Sequence, residues 1–466
     1  MRALPDGMVV RIGRHTRVRD DGTLLVGGAP TRVARLTPRA AALARDGRVV
    51  VRDAASRALA AHLLDTGLGD PVAASLPPVP LSELTVVVPV KDRVAPLDRL
   101  LASLPAGLGG TIVVDDGSAD PAPIAAVVAR HGARLIAFPE NLGVSTARNT
   151  GLAEATTPFV AFIDSDVEVE PGSLEMLLRH FGDPLVALTA PRVLGREREH
   201  PGWITRYEDA RSSLDLGNDA ASVRPGSRVT WVSGTCLVAR VADVSGFDAT
   251  MRVGEDVDLV WRLIDAGRVV RYEPSAVVRH DHRTSARRWM ARKFFYGTGA
   301  LPLGERHPTE IAPVVLPPWA AGMLVVLAAQ RRWSLPGAAA ICAVVILRVA
   351  RRLPHARHPR RTAARLVGDG ALASLGQGSA LLVRHWWPLA LAASLVSRRA
   401  RRAVAVAAVV DAAVEYARLR PRLDPVRFFA ARRLDDLAYG AGVWWSALRG
   451  RSLRALMPRI TRGHHD

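Results

Sequence analysis

Asp164-Ser165-Asp166 closes the apolar run Phe159-Val160-Ala161-Phe162-Ile163. Two carboxylates one residue apart, at the carboxyl end of an expected buried strand, can reach one divalent cation together. A hard cation such as Mg2+ or Mn2+ then carries the phosphates of a substrate. Two further acidic sites flank the pair along the chain. Asp115-Asp116-Gly117-Ser118 lies upstream and Gly254-Glu255-Asp256-Val257-Asp258 downstream. Together the three sites point to a nucleotide-sugar substrate.

Each site has its own chemistry. A carboxylate at Asp115 or Asp116 can accept a hydrogen bond from a uracil-like ring N–H or from ribose hydroxyls, although Asp-Gly is also an ordinary turn. Asp256 suits a general base that takes the proton of an acceptor hydroxyl as its oxygen attacks C1 of a sugar. Acidic residues at a helix start are also favourable in themselves. The cation would stabilise the departing diphosphate. One base without a second carboxyl nucleophile predicts direct displacement with inversion.

The segment Asn141 to Asn149 carries Arg148, which can neutralise a diphosphate or hold an acidic group. Asn141 and Gly143 suit a turn with unusual backbone angles, and Ser145 can cap the following helix. In Trp231-Val232-Ser233-Gly234-Thr235-Cys236, Trp231 can stack on a sugar face and Gly234 can let the backbone approach the acceptor. A metal held by two carboxylates is open to a third ligand. His280 is preferred over His282 for that role, as the first histidine after an apolar run. Both histidines equally suit structural roles. No G-x-G-x-x-G follows the first strand, and there is no P-loop, so a dinucleotide-binding fold does not fit.

The elements that must position these residues are legible in outline. Residues 84–305 alternate short apolar strands with helices, as in a doubly wound α/β domain. Expected strands are Leu84 to Val88, Thr111 to Val114, Arg134 to Ala137 and Phe159 to Ile163. The ligand belongs over their carboxyl ends. Residues 1–75 read as a small α+β domain. It has a hairpin turning at Asp20-Asp21-Gly22, a helix capped by Thr37 with Pro38 in its first turn, and a second helix from Ala54 to Leu64. Ala73 to Pro80 reads as a linker.

Residues 310–466 change texture. Ile311 to Gln330 is twenty residues without a charge, and Trp333 to Leu347 adds fifteen more. Spanning a bilayer takes about twenty apolar residues. A helical hairpin turning near Arg332 or a pair of interfacial helices is expected, against the alternative of an Ala-rich soluble helical domain. The 63 Lys and Arg outnumber 44 Asp and Glu, giving a net charge of +19. The excess follows residue 280 in arginine pairs such as Arg351-Arg352 and Arg398-Arg399, set between apolar stretches. This pattern suits an anionic bilayer surface better than a nucleic acid. High-GC coding alone also enriches arginine and alanine. The N-terminus shows no secretory pattern. The two cysteines, Cys236 and Cys342, suit a reducing, cytoplasm-facing location.

As a set these residues resemble the family-2 glycosyltransferases, of the GT-A nucleotide-diphospho-sugar transferase fold. The matching features are Val88 to Arg93, Asp115 to Ser118, Asn141 to Asn149, Asp164 to Asp166, Trp231 to Thr235 and Glu255-Asp256. The resemblance implies that Asp92 and Asp116 contact the uridine, with Asp115 expected beside them in the donor site, and that Asp164 and Asp166 hold the diphosphate through Mn2+ or Mg2+. Ser165 and Arg148 join the donor site, and Asp256 is the base. Trp231, Gly234 and Glu255 are expected on the acceptor side. Ser285-Ala286-Arg287-Arg288-Trp289 matches the Q-x-x-R-W of processive members with Ser285 in place of Gln. Arg288 and Trp289 are then expected at the acceptor, while long-chain synthesis is disfavoured.

Over its whole length the chain is similar to the mycofactocin-system glycosyltransferases of actinobacteria. That likeness implies transfer of β-1,4-linked glucose from UDP-glucose to a peptide-derived redox cofactor or its precursor. It also gives the N-terminal domain a resemblance to peptide-recognition modules that meet maturation partners. A lipid-linked or cell-wall glycan acceptor is the alternative. A non-catalytic sugar-binding scaffold is a second, which the intact Asp164, Asp166 and Asp256 disfavour.

Overall fold

A computed structural model describes residues 2–28, 31–282, 284–353 and 356–461. Met1 and residues 462–466, the outer limits of the domains drawn from sequence, lie outside these. The chain forms two compact units, Met1–Glu199 with Ser212–His282, and His200–Arg211 with Arg283–Asp466.

The first unit opens with six short strands: β1 (Val9–Ile12), β2 (Arg17–Arg19), β3 (Leu24–Gly27), β4 (Arg32–Arg35), β5 (Arg48–Val50) and β6 (Gly69–Pro71). They form two antiparallel sheets, ordered β5-β1-β6 and β2-β3-β4. The expected hairpin is β2–β3, with Asp20 and Asp21 at φ 51° and 55° in its turn. Aspartate tolerates this left-handed region because its short side chain bonds locally. Thr37 caps the helix Pro38–Leu43 by accepting from the Ala40 amide at 3.2 Å. Asp53 and Ser56 cap the helix Ala54–Thr66 reciprocally. These elements enclose their own core, including Leu25, Val49, Leu59, Leu63, Leu64 and Leu68. Leu76 belongs to that core, so the expected linker is packed at this point.

A buried ion pair ties this module to the rest of the unit. Arg2 donates through Nε to Asp183 Oδ1 at 3.2 Å, and its Nη2 meets Asp183 Oδ2. Arg2 Nη1 reaches Asp65 Oδ1 at 2.6 Å.

The main sheet has nine strands: β7 (Leu84–Val90), β8 (Gly110–Asp115), β9 (Arg134–Ala137), β10 (Phe159–Ile163), β11 (Val167–Val169), β12 (Val186–Gly195), β13 (Ala221–Ser222), β14 (Cys236–Arg240) and β15 (Val269–His280). Their order is β11-β15-β12-β14-β10-β7-β8-β9, with β13 on β15. β7 to β10 are mutually parallel, as their apolar runs predict. Beyond them the sheet is mixed, because β14 runs antiparallel to both β10 and β12. β7 and β10 are buried along their full length, which explains their unbroken apolar sequences. β8 follows β7 on one side while β10 lies on the other. That reversal opens a crevice at the carboxyl ends of β7 and β10.

The second unit is helical. Ile204, Tyr207, Trp289, Phe428 and Ala431 form one of its cores. The helix Pro318–Ala328 is followed by Ser334–Arg351, the hairpin expected with its turn near Arg332. Ser334–Arg351 and Pro359–His385 are long and apolar enough to cross a membrane. They leave Leu335, Val344, Leu347 and Leu372 exposed.

Candidate active site

β10 delivers Asp164 to the crevice. The Asp164 amide donates to the Thr235 carbonyl at 3.0 Å, and the Asp164 carbonyl accepts from the Val167 amide at 3.2 Å. These bonds fix the turn that carries both acidic side chains, with Ser165 buried inside it. β11 then pairs Val167 opposite His280 of β15. The register brings His280 Nε2 to 3.5 Å from Asp166 Oδ2. Arg93, just past β7, pairs with the same carboxylate oxygen.

Arg148 sits at the centre. It lies on the helix Val144–Ala153 and is only 2% exposed. Its Nη2 donates to Asp164 Oδ1 at 2.7 Å and to the Gly234 carbonyl at 3.0 Å, and its Nη1 donates to Glu255 Oε1 at 3.0 Å. The guanidinium carbon lies 5.0 Å from the Phe247 ring centroid. Of the two roles open to Arg148 from sequence, the structure displays the holding of acidic groups. Asn149 supports the arrangement by a two-way bond to the Phe247 backbone, donating at 2.8 Å and accepting at 2.7 Å.

Asp256 lies in the first turn of the helix Glu255–Asp265, after Gly254 at φ 84°. Its Oδ2 accepts from the Gly234 amide at 2.6 Å, and its Oδ1 from the Val257 amide at 2.8 Å. Gly234 cannot carry a side chain without contact. A Cβ there would lie 3.1 Å from Arg148 Nη2 and 3.2 Å from Asp256 Cβ. Trp231, nearby on the same segment, is half-buried. The indole Nε1 of Trp261 donates to the Thr230 carbonyl at 2.8 Å and steadies that segment.

The electrostatics follow from these contacts. Burial raises the Asp164 carboxyl above the usual range, with Arg148 opposing it. Burial also acts upward on Asp166, but His280 and Arg93 outweigh it and hold that carboxyl low. Asp256 is pushed up to about 6, first by burial and then by the Glu255 charge. Burial acts downward on Arg148, yet Asp164, Glu255 and Asp256 together raise it, so its charge is secure.

The upstream carboxylates are tied to their own loops. Asp115 Oδ1 accepts from the Ser118 amide at 3.0 Å and from its hydroxyl at 2.5 Å. Asp116 Oδ1 accepts from the Leu142 amide at 2.7 Å and the Gly143 amide at 3.1 Å. Between them and the Asn141 turn, Gly117 at φ 69° passes so close to Glu140 that a Cβ would meet its carbonyl carbon at 2.4 Å. Asp92, at φ 53°, accepts from the Ala119 amide at 2.8 Å. The three aspartates therefore order the loops that follow β7 and β8; Asp115 and Asp116 are buried and Asp92 is exposed.

Arg288 and Trp289 belong to the second unit. Arg288 is exposed on the helix Ala286–Thr298. Trp289 is 2% exposed, and its indole donates to Glu208 Oε1 at 2.8 Å. That indole is a core side chain here, which leaves no ring face for an acceptor sugar to stack on. Arg93 and Phe247 received no role from the sequence. Arg93 closes the motif of residues 88–93 on which the family resemblance rests, and that motif was the signal available for it.

Among the described residues, no three His, Cys, Asp or Glu side chains form a group able to hold a metal by themselves. Asp164 and Asp166 nevertheless fit a hard cation. Mg2+ is usually bound by one or two carboxylates together with substrate phosphates. Asp164 and Asp166 supply that donor set on one turn, and His280 stands beside them with Nε2 3.5 Å from Asp166 Oδ2 while its Nδ1 is buried without a hydrogen-bond partner.

Residues 85–240 match the profile of Glycosyl transferase family 2. Over 469 aligned positions, covering 98% of both chains, the sequence is 45% identical to the pre-mycofactocin glycosyltransferase of Mycobacterium tuberculosis. It is 31% identical to the N-acetylglucosaminyl-diphospho-decaprenol L-rhamnosyltransferase of the same organism, over 45% of this chain and 79% of that relative. Among solved structures, a mannosyltransferase from Pyrobaculum calidifontis in complex with GDP-Man and Mn2+ is similar over 64% of this chain and 88% of its own, with 19% identity and a TM-score of 0.37. The family match and the mixed sheet around Asp164 agree on a GT-A architecture. The chain belongs to the family-2 glycosyltransferases and, along its full length, resembles the pre-mycofactocin glycosyltransferase.

Proposed function

We propose that this chain is a metal-dependent, inverting glycosyltransferase of the mycofactocin pathway. In this reading it moves glucose from UDP-glucose onto the peptide-derived cofactor or its precursor, building β-1,4-linked oligoglucose. The observation that carries the reading is the 45% identity over 98% of both chains, joined to a site in which Arg148 bridges Asp164 and Glu255.

Asp164 and Asp166, with His280 beside them, would hold Mn2+ or Mg2+. When bound, the cation neutralises charge on the departing diphosphate. The chain's own residues do the rest. Arg148 locks the metal-side turn to the base-side helix, so donor and acceptor groups keep one geometry. Asp256 takes the proton from the acceptor hydroxyl while its oxygen forms the bond to C1 and the C1–diphosphate bond breaks. The Gly234 amide steers the Asp256 carboxylate and leaves it a free lone pair. Glu255 is engaged by Arg148, so Asp256 acts as the single base and C1 inverts. Asp92, Asp115 and Asp116 frame the uridine end, and Trp231 offers a ring face to the acceptor.

Two apolar helices and the arginine pairs at their adjoining ends support a bilayer-bound enzyme, and in this reading its active site faces the cytoplasm. The N-terminal module fits recognition of a peptide-derived acceptor or of a maturation partner. Incubating the purified protein with UDP- and GDP-sugars and the candidate redox-cofactor acceptor tests the proposal. Serial additions of one hexose mass are expected. Transfer to polyprenyl-linked acceptors alone would favour the second reading, which the likeness to the rhamnosyltransferase supports.

A further inference from the structure

A second cavity lies within the first unit, away from the carboxylates of the transferase crevice. It is about 570 Å³ in volume and separates the N-terminal module from the segment 218–229 and the bend of β15. That size suits a short ligand segment. Its charge is unbalanced. Asp219, on its wall, is already shared by Arg14, His15 and Arg228. Glu273 is bound to His180 at 3.0 Å and to Ser275 at 2.6 Å. Arg11 and Arg224 also line the cavity; Asp70 interacts with Arg271, Arg228 and Arg11, while Arg224 Nη1 donates to the Asp65 carbonyl at 2.7 Å.

Deeper positive charge adds to the imbalance. Arg271 stands two residues before Glu273 on β15, hence on the same face. It is 2% exposed, and its Nε and Nη1 have no hydrogen-bond partner. Burial and the neighbouring Arg2 push it down to about 10. Burial also lowers Arg224, with Arg2 and Arg32 adding to the effect against Asp65. Asp70 and Asp183 offset the Arg271 charge only in part, and an anionic ligand would supply more negative charge.

The walls also include two sheet edges. β6 is an outer strand of its sheet, and among the described residues β13 pairs with β15 alone. Asp70 and Pro71 of β6, and Ala221 and Ser222 of β13, all line the cavity. Edge strands present unpaired backbone groups to an extended chain. No Phe, Tyr or Trp lines the cavity among the described residues, which disfavours a stacked nucleobase.

We propose that the cleft between β6 and β13 binds an extended acidic peptide segment, with its carboxylates on Arg11 and Arg224. This extends the reading of the N-terminal module as peptide-binding and makes no use of sugar transfer.

The test selects a display library of random octapeptides against the full-length protein without donor. Enrichment of Asp and Glu is expected, and replacing those residues with Gln and Asn should weaken a selected peptide at least about tenfold. Arg11→Glu should weaken it alone, and Arg11→Glu with Arg224→Glu should abolish binding while UDP affinity stays unchanged. UDP affinity reports that the variant is folded. Selected peptides without acidic enrichment, or equal binding by the double variant, would overturn the proposal. Displacement by inorganic phosphate as effective as by free peptide would reassign the cleft to small anions and overturn it too. None of these failures touches the transferase reading, which is measured with donor and acceptor.

Discussion

The backbone N–H of Gly234 donates to the Asp256 carboxylate at 2.6 Å, and a Cβ on that glycine would crowd Asp256 Cβ at 3.2 Å. The contact joins the end of the Trp231 segment to the proposed base. Gly234→Ala places a methyl group against Arg148 and Asp256 Cβ. Displacing a reacting group by about 1 Å costs roughly 100-fold in rate. The shift needed here is a few tenths of an ångström, so we expect a smaller fall, about tenfold, in kcat with the donor Kd little changed, measured by steady-state kinetics and calorimetry.

Asp256→Asn removes the proton acceptor but keeps the side chain's shape. Transfer is expected to drop by about 10²–10⁴-fold, the range for general base catalysis. Donor binding should persist. Unaltered turnover in this variant would falsify the role of Asp256 as base.

The pH profile follows from the same group. Asp256 must be ionised to accept a proton, and burial followed by Glu255 pushes it up to about 6. Below that value kcat/KM should fall about tenfold per pH unit, and above it reach a plateau. The stability sign is opposite. A carboxyl raised on folding favours the native state most below its unfolded value of 3.8, and that contribution is lost as pH rises through about 6. Asp256→Asn should therefore melt no lower than the parent at neutral pH. A melting scan at pH 7.5 decides this, and a marked drop would show that the two backbone bonds matter more than burial of the charge.

Arg148→Ala leaves Asp164 and Glu255 without their shared cation. Removing one partner of a buried pair costs about 3–5 kcal/mol. Lysine has one ammonium and cannot serve two carboxylates and a carbonyl through a fork. Both variants are expected to lose activity and denature at lower urea concentration, with Lys intermediate. A fully active Arg148→Lys protein would mean that the bridge to Glu255 is dispensable.

Chelation should act on the donor side. EDTA is expected to weaken UDP-sugar binding at least about tenfold, with recovery on adding Mn2+ or Mg2+. Donor titration before and after chelation measures it. Unchanged affinity would remove the metal role from Asp164 and Asp166.

The strands β7 to β10 were legible because both faces of each are covered, so their apolar runs are nearly continuous. β4 escaped detection because its residues are largely exposed and read as polar loop. The acidic residues were conspicuous as chemical types at strand and helix ends. Their wiring was not. Arg148 meets residues 16, 86 and 107 positions away, and no local pattern encodes such a convergence. Trp289 shows the reverse problem. An Arg-Trp pair is visible in sequence, but which way the indole faces depends on Glu208 and the helix packing around it.

Arg2 and Asp183 meet across 181 positions of chain. On the ribosome, Arg2 emerges 181 residues ahead of Asp183 and waits for most of the sheet to be synthesised. The N-terminal core, which ends at Leu76, can condense early, but its anchor closes only after β10 and β11 exist. A tag or truncation that displaces Arg2 would leave Asp183 as a buried charge without this partner. The penalty would then surface as poor yield of folded protein, even with every residue of the transfer site intact.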